Sequence, residues 1–395
     1  MSKTETPSIR FRGFDDAWEQ RKLGDCFSER VENMPDGELI SVTINDGIKK
    51  FSELGRHDNS NDDKSKYKKV CVGDIAYNSM RMWQGASGYS PYEGIVSPAY
   101  TVLSPNAGVF SRCIAYQFKL PQMVHTFQIN SQGITSDNWN LKYPTLSEIE
   151  IYISKSVVEQ KQIAEFFTSL DNLITLHQRK YEKLQAFKVS MLEKMFPKDG
   201  ADVPEVRFKG FDGSWEKMPA SELFTSYVDK GHPELPVLSA TQDAGMVVRN
   251  EIGKSVFHEA ANEVGYKRVL PGQFVIHLRS FQGGFAHSAI EGITSPAYTV
   301  FGLKEPENHD DYFWKYVFMS KQFIKRLETV TYGIRDGRSI SYDEFLTLDF
   351  LFPRKEEQSL ICQYLLKLDS LIAMRKQELD KLQFIKKALL EKMFV

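Results

Sequence analysis

Glu159-Gln-Lys-Gln-Ile163-Ala-Glu-Phe-Phe-Thr-Ser-Leu170-Asp-Asn-Leu173-Ile-Thr-Leu-His-Gln-Arg-Lys-Tyr181-Glu-Lys-Leu184-Gln-Ala-Phe187-Lys-Val-Ser-Met191-Leu-Glu-Lys-Met195-Phe196 sets apolar or aromatic residues at spacings of three, four and seven. No Gly or Pro interrupts it, so the spacing predicts one long helix with a continuous apolar stripe. The stretch returns as Glu357 to Phe394, with 16 of 38 positions identical. The second stripe runs through Ile361, Leu365, Leu368, Leu371, Ile372, Leu379, Leu382, Ile385, Leu389 and Met393. Each helix would extend roughly 57 Å at 1.5 Å per residue. So wide a stripe needs a partner, because burial of that face is what stabilises a helix in water. Two arrangements supply one. The helices pack on each other, antiparallel, with the two bodies at opposite ends about an approximate twofold axis; or each helix docks on its own body.

What precedes each helix is repeated too, at an offset of about 198 residues. Pro7-Ser-Ile-Arg10-Phe-Arg-Gly-Phe-Asp-Asp-Ala-Trp18 returns as Pro204-Glu-Val-Arg207-Phe-Lys-Gly-Phe-Asp-Gly-Ser-Trp215. Gly94-Ile-Val-Ser97-Pro-Ala-Tyr100 returns as Gly292-Ile-Thr-Ser295-Pro-Ala-Tyr298. A solenoid repeats every 20–50 residues or so; this period instead marks a duplicated body-plus-helix unit. The expected bounds are a first body at 1–157, its helix and linker at 158–202, a second body at 203–354 and its helix at 355–395. Tyr67 to Tyr77 and Tyr266 to Ile276 alternate around a glycine and read as strand, turn, strand. Phe313 to Arg326 and Ser111 to Phe118 have helical spacing. The expected fold class is α/β in the mixed α+β sense, with two similar bodies separated by the long helices.

A chain of 395 residues supports two or three cores. Net charge is −2, so any nucleic-acid surface has to be local. Cys26, Cys71, Cys113 and Cys362 are scattered without a C-x-x-C pair, which speaks against a disulfide framework or zinc site and fits a reducing cytoplasm. No apolar leader and no run of 18 apolar residues occurs, so neither secretion nor a membrane span is expected.

No G-x-x-x-x-G-K-[ST] loop and no G-x-G-x-x-G after a strand is present, which argues against nucleotide chemistry in this chain. Ser97-Pro-Ala-Tyr100 and its copy resemble the Asp/Asn/Ser-Pro-Pro-Tyr motif of amino-methyltransferases, but the second Pro is missing; a structural turn is the expected reading. Asp36, Asp62 and Lys64 can be strung into a nuclease-like metal pattern, present in the first half alone. No histidine pair has hydrolase spacing. Those three residues define the enzymatic alternative, a metal-dependent endonuclease; a helical scaffold without sequence-specific DNA binding is the other.

The remaining signals suit DNA. Lys66, Lys68 and Lys69 precede one strand pair, and Lys267 and Arg268 precede its counterpart, as phosphate contacts would. After the second strand come Asn78, Arg81 and Gln84 in one half, and His277, Arg279 and Gln282 in the other. Arg suits a guanine edge, and Asn or Gln an adenine edge. Polar, glycine-bearing loops with Asn138 and Trp139, and with Arg335 and Arg338, occupy matching later places. Where the copies differ, different bases would be read.

With the doubled entry, the doubled Gly-Ile-x-Ser-Pro-Ala-Tyr and helices running from Glu-Gln to Leu-Glu-Lys-Met-Phe, the chain resembles the specificity subunit of type I restriction-modification systems over its whole length. The resemblance implies two target-recognition domains, each reading half of a bipartite, asymmetric double-stranded DNA site, held apart by an antiparallel coiled coil. It implies a subunit without catalytic residues or metal of its own. Two modification subunits would use S-adenosylmethionine to methylate adenine, and restriction subunits would use ATP and magnesium. The near-neutral charge then suggests that modification subunits supply much of the phosphate contact.

Overall fold

The computed structural model describes the chain apart from residues 1–5, 45–46, 59, 135–137, 199, 242–243, 253–259 and 333–338. It divides into two compact units: unit 1 is Met1–Gln178 with Gln377–Val395, and unit 2 is Arg179–Lys376. The long helices are Val157–Lys194 and Lys355–Met393. Both division points therefore fall inside a helix, so each unit owns one body, the start of one long helix and the end of the other. Among the described residues no helix is long and apolar enough to cross a membrane.

Unit 1 is built on a four-stranded antiparallel sheet in the order Phe27–Glu29, Tyr100–Pro105, Ile75–Asn78, Ser87–Tyr89. Alternate side chains leave a strand on opposite faces. Leu103 accordingly enters the larger core with Phe27, Ile75 and Tyr77, and Val102 enters a smaller one with Ile40, Val70 and Val96. Lys68–Val70 pairs with Gly94–Val96, whereas Ile75–Asn78 pairs with Tyr100–Pro105. The predicted strand, turn and strand are all present, but the turn carries the chain from one sheet to another. Gly73 takes φ 100° there. The buried Asp74 carboxylate accepts the Cys71 N–H at 2.8 Å and is gripped by Arg30 at 2.7 and 3.0 Å, which fixes the crossing.

Unit 2 repeats this plan. Its sheet runs Phe224–Tyr227, Thr299–Leu303, Phe274–Ile276, Ala286–His287, with Phe301 in the larger core and Val300 in the smaller. The helical stretch from Phe313 is two helices, Asp311–Met319 and Lys321–Leu327. Ser320 breaks them because its Oγ accepts the Phe323 N–H at 3.2 Å and caps the second. Both Ser-Pro-Ala-Tyr segments are turns, closed by Tyr100 N–H on Ser97 O at 3.0 Å and Tyr298 N–H on Ser295 O at 3.1 Å.

The doubled motifs explain one another. In unit 1, Arg10 reaches the buried Glu159 carboxylate through two bonds of 2.5 and 3.0 Å. Gln160, next along, accepts the Phe110 N–H and donates to Gly108 O and Ser154 O. Phe11 packs edge-on against Phe166. Trp18 meets Phe394, the residue directly after the second helix, edge-on at 6.0 Å. Unit 2 makes the same contacts between Arg207 and Glu357 (2.7 and 2.8 Å), Gln358 and Asp310, Phe208 and Tyr364, and Trp215 and Phe196. The Met-Phe that ends each helix thus plugs the body whose entry segment begins with the repeated Arg.

Within each unit a long helix both docks on its body and packs against the end segment of the other long helix. Ile163, Ala164 and Phe167 of the first helix are buried in the unit 1 body core. Farther along in unit 1, Asp171 pairs with Lys386 and His177 with Glu378, so the two helix segments run antiparallel. In unit 2 the counterparts are Ile361 and Leu365 in the core, and Lys188 paired with Asp369.

Candidate nucleic-acid interface

In unit 1 the chain leaves strand Ile75–Asn78 and turns at once. The Asn78 Oδ1 accepts the Met80 N–H at 3.0 Å. Arg81 then starts a single helical turn, Met82–Gln84, ended by Gly85 at φ 80°. Met82 is fully buried and anchors the turn, leaving Arg81 exposed. Trp83 donates its Nε1–H to Met80 O at 3.1 Å and stands edge-on to Trp139 at 5.2 Å. Leu141 N–H bonds Ser79 O at 2.9 Å. These contacts join two stretches far apart in sequence, 78–85 and 133–140. The second is closed by reciprocal backbone bonds between Gln132 and Asn140. At Gly133, φ is 155° and an added Cβ would lie 2.5 Å from Asn138 O, so only glycine closes the loop this way. Asn138 is exposed on it, and Trp139 is half-buried.

Unit 2 uses the same device with other residues. His277 Nδ1 accepts the Arg279 N–H at 3.3 Å. A backbone N–H only donates, so Nδ1 carries no proton; burial, and then the neighbouring Arg279 charge, hold the imidazole pKa below its usual value and favour that neutral ring. Arg279 then starts the short helix Ser280–Gly283, on which Gln282 is exposed. This helix packs beside strand Ser339–Ile340, which pairs with Thr331–Tyr332. Arg335 and Arg338 lie between those strands, outside the described residues.

Arg81 and Arg279 therefore head the helical turn of their own bodies, although Arg81 follows Asn78 by three positions and Arg279 follows His277 by two. Each directly precedes the helical turn, with φ/ψ of −129°/12° and −114°/17°. Both are exposed, and among the described residues neither makes an ion pair. Around the arginine the chemistry differs: Asn78, Trp83 and Trp139 on one side, His277 and Phe281 on the other. Gln84 is half-buried beside its arginine, and its Oε1 has no partner among the described residues.

The basic residues before the strands are engaged differently. Lys68 pairs with Glu29 at 3.4 Å and Lys69 with Glu32 at 3.0 Å. Lys267 donates to Tyr298 O at 2.6 Å and has its pKa lowered by burial. Arg268 is held between Glu291 and Asp229. These four stitch strands to neighbouring loops, and a phosphate would compete with carboxylates or a carbonyl for them. Lys66 instead stands exposed in a cleft with Arg56, Tyr67 and Tyr100. Arg56 was not singled out from sequence, since nothing local marks it; only the fold brings it to the Ser-Pro-Ala-Tyr turn. Asp36 and Asp62 are exposed, and Lys64 is partly so. Among the described residues no three His, Cys, Asp or Glu side chains gather as metal ligands would.

An expected result follows from the two turn-heading arginines. Arg81→Ala and Arg279→Ala should each cost about 1–3 kcal/mol of binding and relax only one half of a bipartite site. Competition binding with each half-site scrambled in turn is the check. A uniform loss on every sequence would reassign the residue to phosphate.

Residues 15–186 match the family model described as the type I restriction modification DNA specificity domain. The MjaVIII type I restriction enzyme specificity subunit of Methanocaldococcus jannaschii is 23% identical over 353 residues, covering 82% of this chain and 81% of that protein. The fold is shared with the type I restriction-modification S subunit from M. genitalium, at TM-score 0.58 and 15% identity over 99% of both chains. It is also shared with a chain of a type I R-M system whose complex assembly and conformational transition were determined structurally. There the TM-score is 0.55 at 14% identity, over 97% of this chain and 99% of that one.

Proposed function

We infer that the chain is a specificity subunit of a type I restriction-modification system, and that each unit reads one half of a bipartite, asymmetric DNA sequence. One observation carries this reading: in both units an exposed arginine heads the short helical turn that follows the corresponding strand, inside different surroundings. A shared frame with unlike neighbours suits two dissimilar half-sites. The paired helices act as the spacer that sets the unread gap. The subunit contributes no catalytic group; methylation and ATP-driven cleavage belong to its partners, with their S-adenosylmethionine, ATP and magnesium.

The helices also offer somewhere for partners to sit. Leu173 and Leu176 are 40% and 48% exposed in unit 1, and Leu371 and Met374 are 41% and 50% exposed in unit 2. Phe384 adds to the first set and Phe187 to the second. Like apolar surfaces, one per unit, suit two copies of one partner, here the modification subunit. With a net charge of −2, the chain would rely on those subunits for much of the contact with phosphate.

The test is coexpression with the modification subunit of the same host, followed by methylome sequencing with and without this chain. Copurification, and methylated adenine in one bipartite motif that vanishes without the chain, are the expected results. A methylome that does not change would sink the reading.

A further inference from the structure

We propose that two matched Tyr–Asp–Lys clusters, Tyr116–Asp171–Lys386 and Tyr316–Asp369–Lys188, are positioning devices that decide which gap length between half-sites is accepted. The proposal rests on the specificity-subunit reading above and deepens it.

In unit 1, Tyr116 of the body helix Ser111–Gln117 donates its hydroxyl to Asp171 Oδ2 at 2.8 Å. Lys386, on the other long helix, pairs with Asp171 Oδ1 at 2.5 Å and lies 5.7 Å from the centre of the Tyr116 ring. In unit 2, Tyr316 donates to Asp369 Oδ2 at 2.7 Å. Lys188 pairs with Asp369 Oδ1 and lies 5.6 Å from the Tyr316 ring. The helices exchange roles between units: the first supplies the carboxylate in unit 1 and the ammonium in unit 2.

One carboxylate thus holds the body with one oxygen and the opposite helix with the other. Body orientation and helix register cannot then change independently. A slip of one helical turn would carry the lysine about 5.4 Å away and break the pair. The Arg10–Glu159 and Arg207–Glu357 contacts grip the same helices twelve positions earlier. Two grips on one helix block a pivot that either alone would allow. Partly exposed ion pairs add little to folding stability, so their matched recurrence points to geometry. On DNA, one extra base pair moves a half-site by about 3.4 Å and turns it by roughly 34°, since a helical turn of 34–36 Å holds 10–10.5 pairs. A body held at one angle accepts one gap; a body free to pivot accepts its neighbours.

The experiment uses the chain assembled with its modification subunits, on DNA carrying the mapped half-sites with the native gap or one base pair more or fewer. Methylation by the unaltered complex at the native gap is read first; its absence would overturn the functional reading and the lock with it. With Asp171→Asn and Asp369→Asn together, the ratio of altered-gap to native-gap methylation should rise at least tenfold, with half-site preference unchanged. Lys188→Arg with Lys386→Arg should keep the native ratio. If the Asn variant does not assemble, Tyr116→Phe with Tyr316→Phe keeps the rings under the lysines and should raise the same ratio. An unchanged ratio, a proportional loss at every gap, or relaxed half-site sequence would each overturn the proposal.

Discussion

Arg207→Ala is expected to cost unit 2 about 3–5 kcal/mol, because it strands a buried carboxylate. The Glu357 side chain is 2% exposed at the start of the second long helix, and Arg207 meets both of its oxygens, at 2.7 and 2.8 Å. That contact is the largest cause of the raised Arg207 pKa. The same guanidinium donates to Gly213 O at 2.6 Å, so the substitution also frees the entry segment. Removing both charges should hurt much less than removing one: Arg207→Met with Glu357→Met leaves no uncompensated ion. Denaturant titration of the two variants gives the comparison. A single-variant loss below about 1 kcal/mol would mean that the carboxylate finds water or another donor. Arg10→Ala should act alike in unit 1, where the Glu159 side chain is fully buried.

Deleting one heptad from each long helix should shorten the unread gap while leaving both half-site sequences unchanged. Seven residues preserve the phase of the apolar stripe and remove about 10 Å of helix at 1.5 Å per residue. The deletions have to fall between Asp171 and Lys188 in one helix and between Asp369 and Lys386 in the other, stretches of equal length. Outside them, the Tyr–Asp–Lys contacts would lose register. A heptad taken from one helix only should abolish site-specific methylation, since the remaining pairs could not all form. Methylome sequencing reads both results. An unaltered gap after the paired deletion would mean that the helices are not the ruler.

Much of this was legible in the sequence, for a physical reason. Apolar spacing reports burial directly, so the long helices were predicted within two residues of their observed starts, at Val157 and Lys355. Repetition at a fixed offset marked the entry Arg, the Ser-Pro-Ala-Tyr turn and the terminal Met-Phe as frame. What repetition could not say is which repeated parts touch. Arg10 meets Glu159 across 149 positions, and Trp18 meets Phe394 across almost the whole chain. Lys68, Lys69, Lys267 and Arg268 looked like a phosphate-facing set because net local charge is visible in sequence and pairing is not. Their partners Glu29, Glu32, Tyr298 and Glu291 arrive from other strands and loops.

The sequence by itself determined that there are two like bodies, each with a long amphipathic helix, because period and hydrophobicity are local properties of a chain. Tertiary structure alone decided that each body is completed by the end of the other body's helix. It also decided that Arg81 and Arg279 each head a helical turn, and that Trp83 meets Trp139. Those are facts of pairing between distant residues, where burial of a charge or ring is satisfied by whatever partner the fold delivers. A one-dimensional pattern records the need for a partner, and the fold selects it.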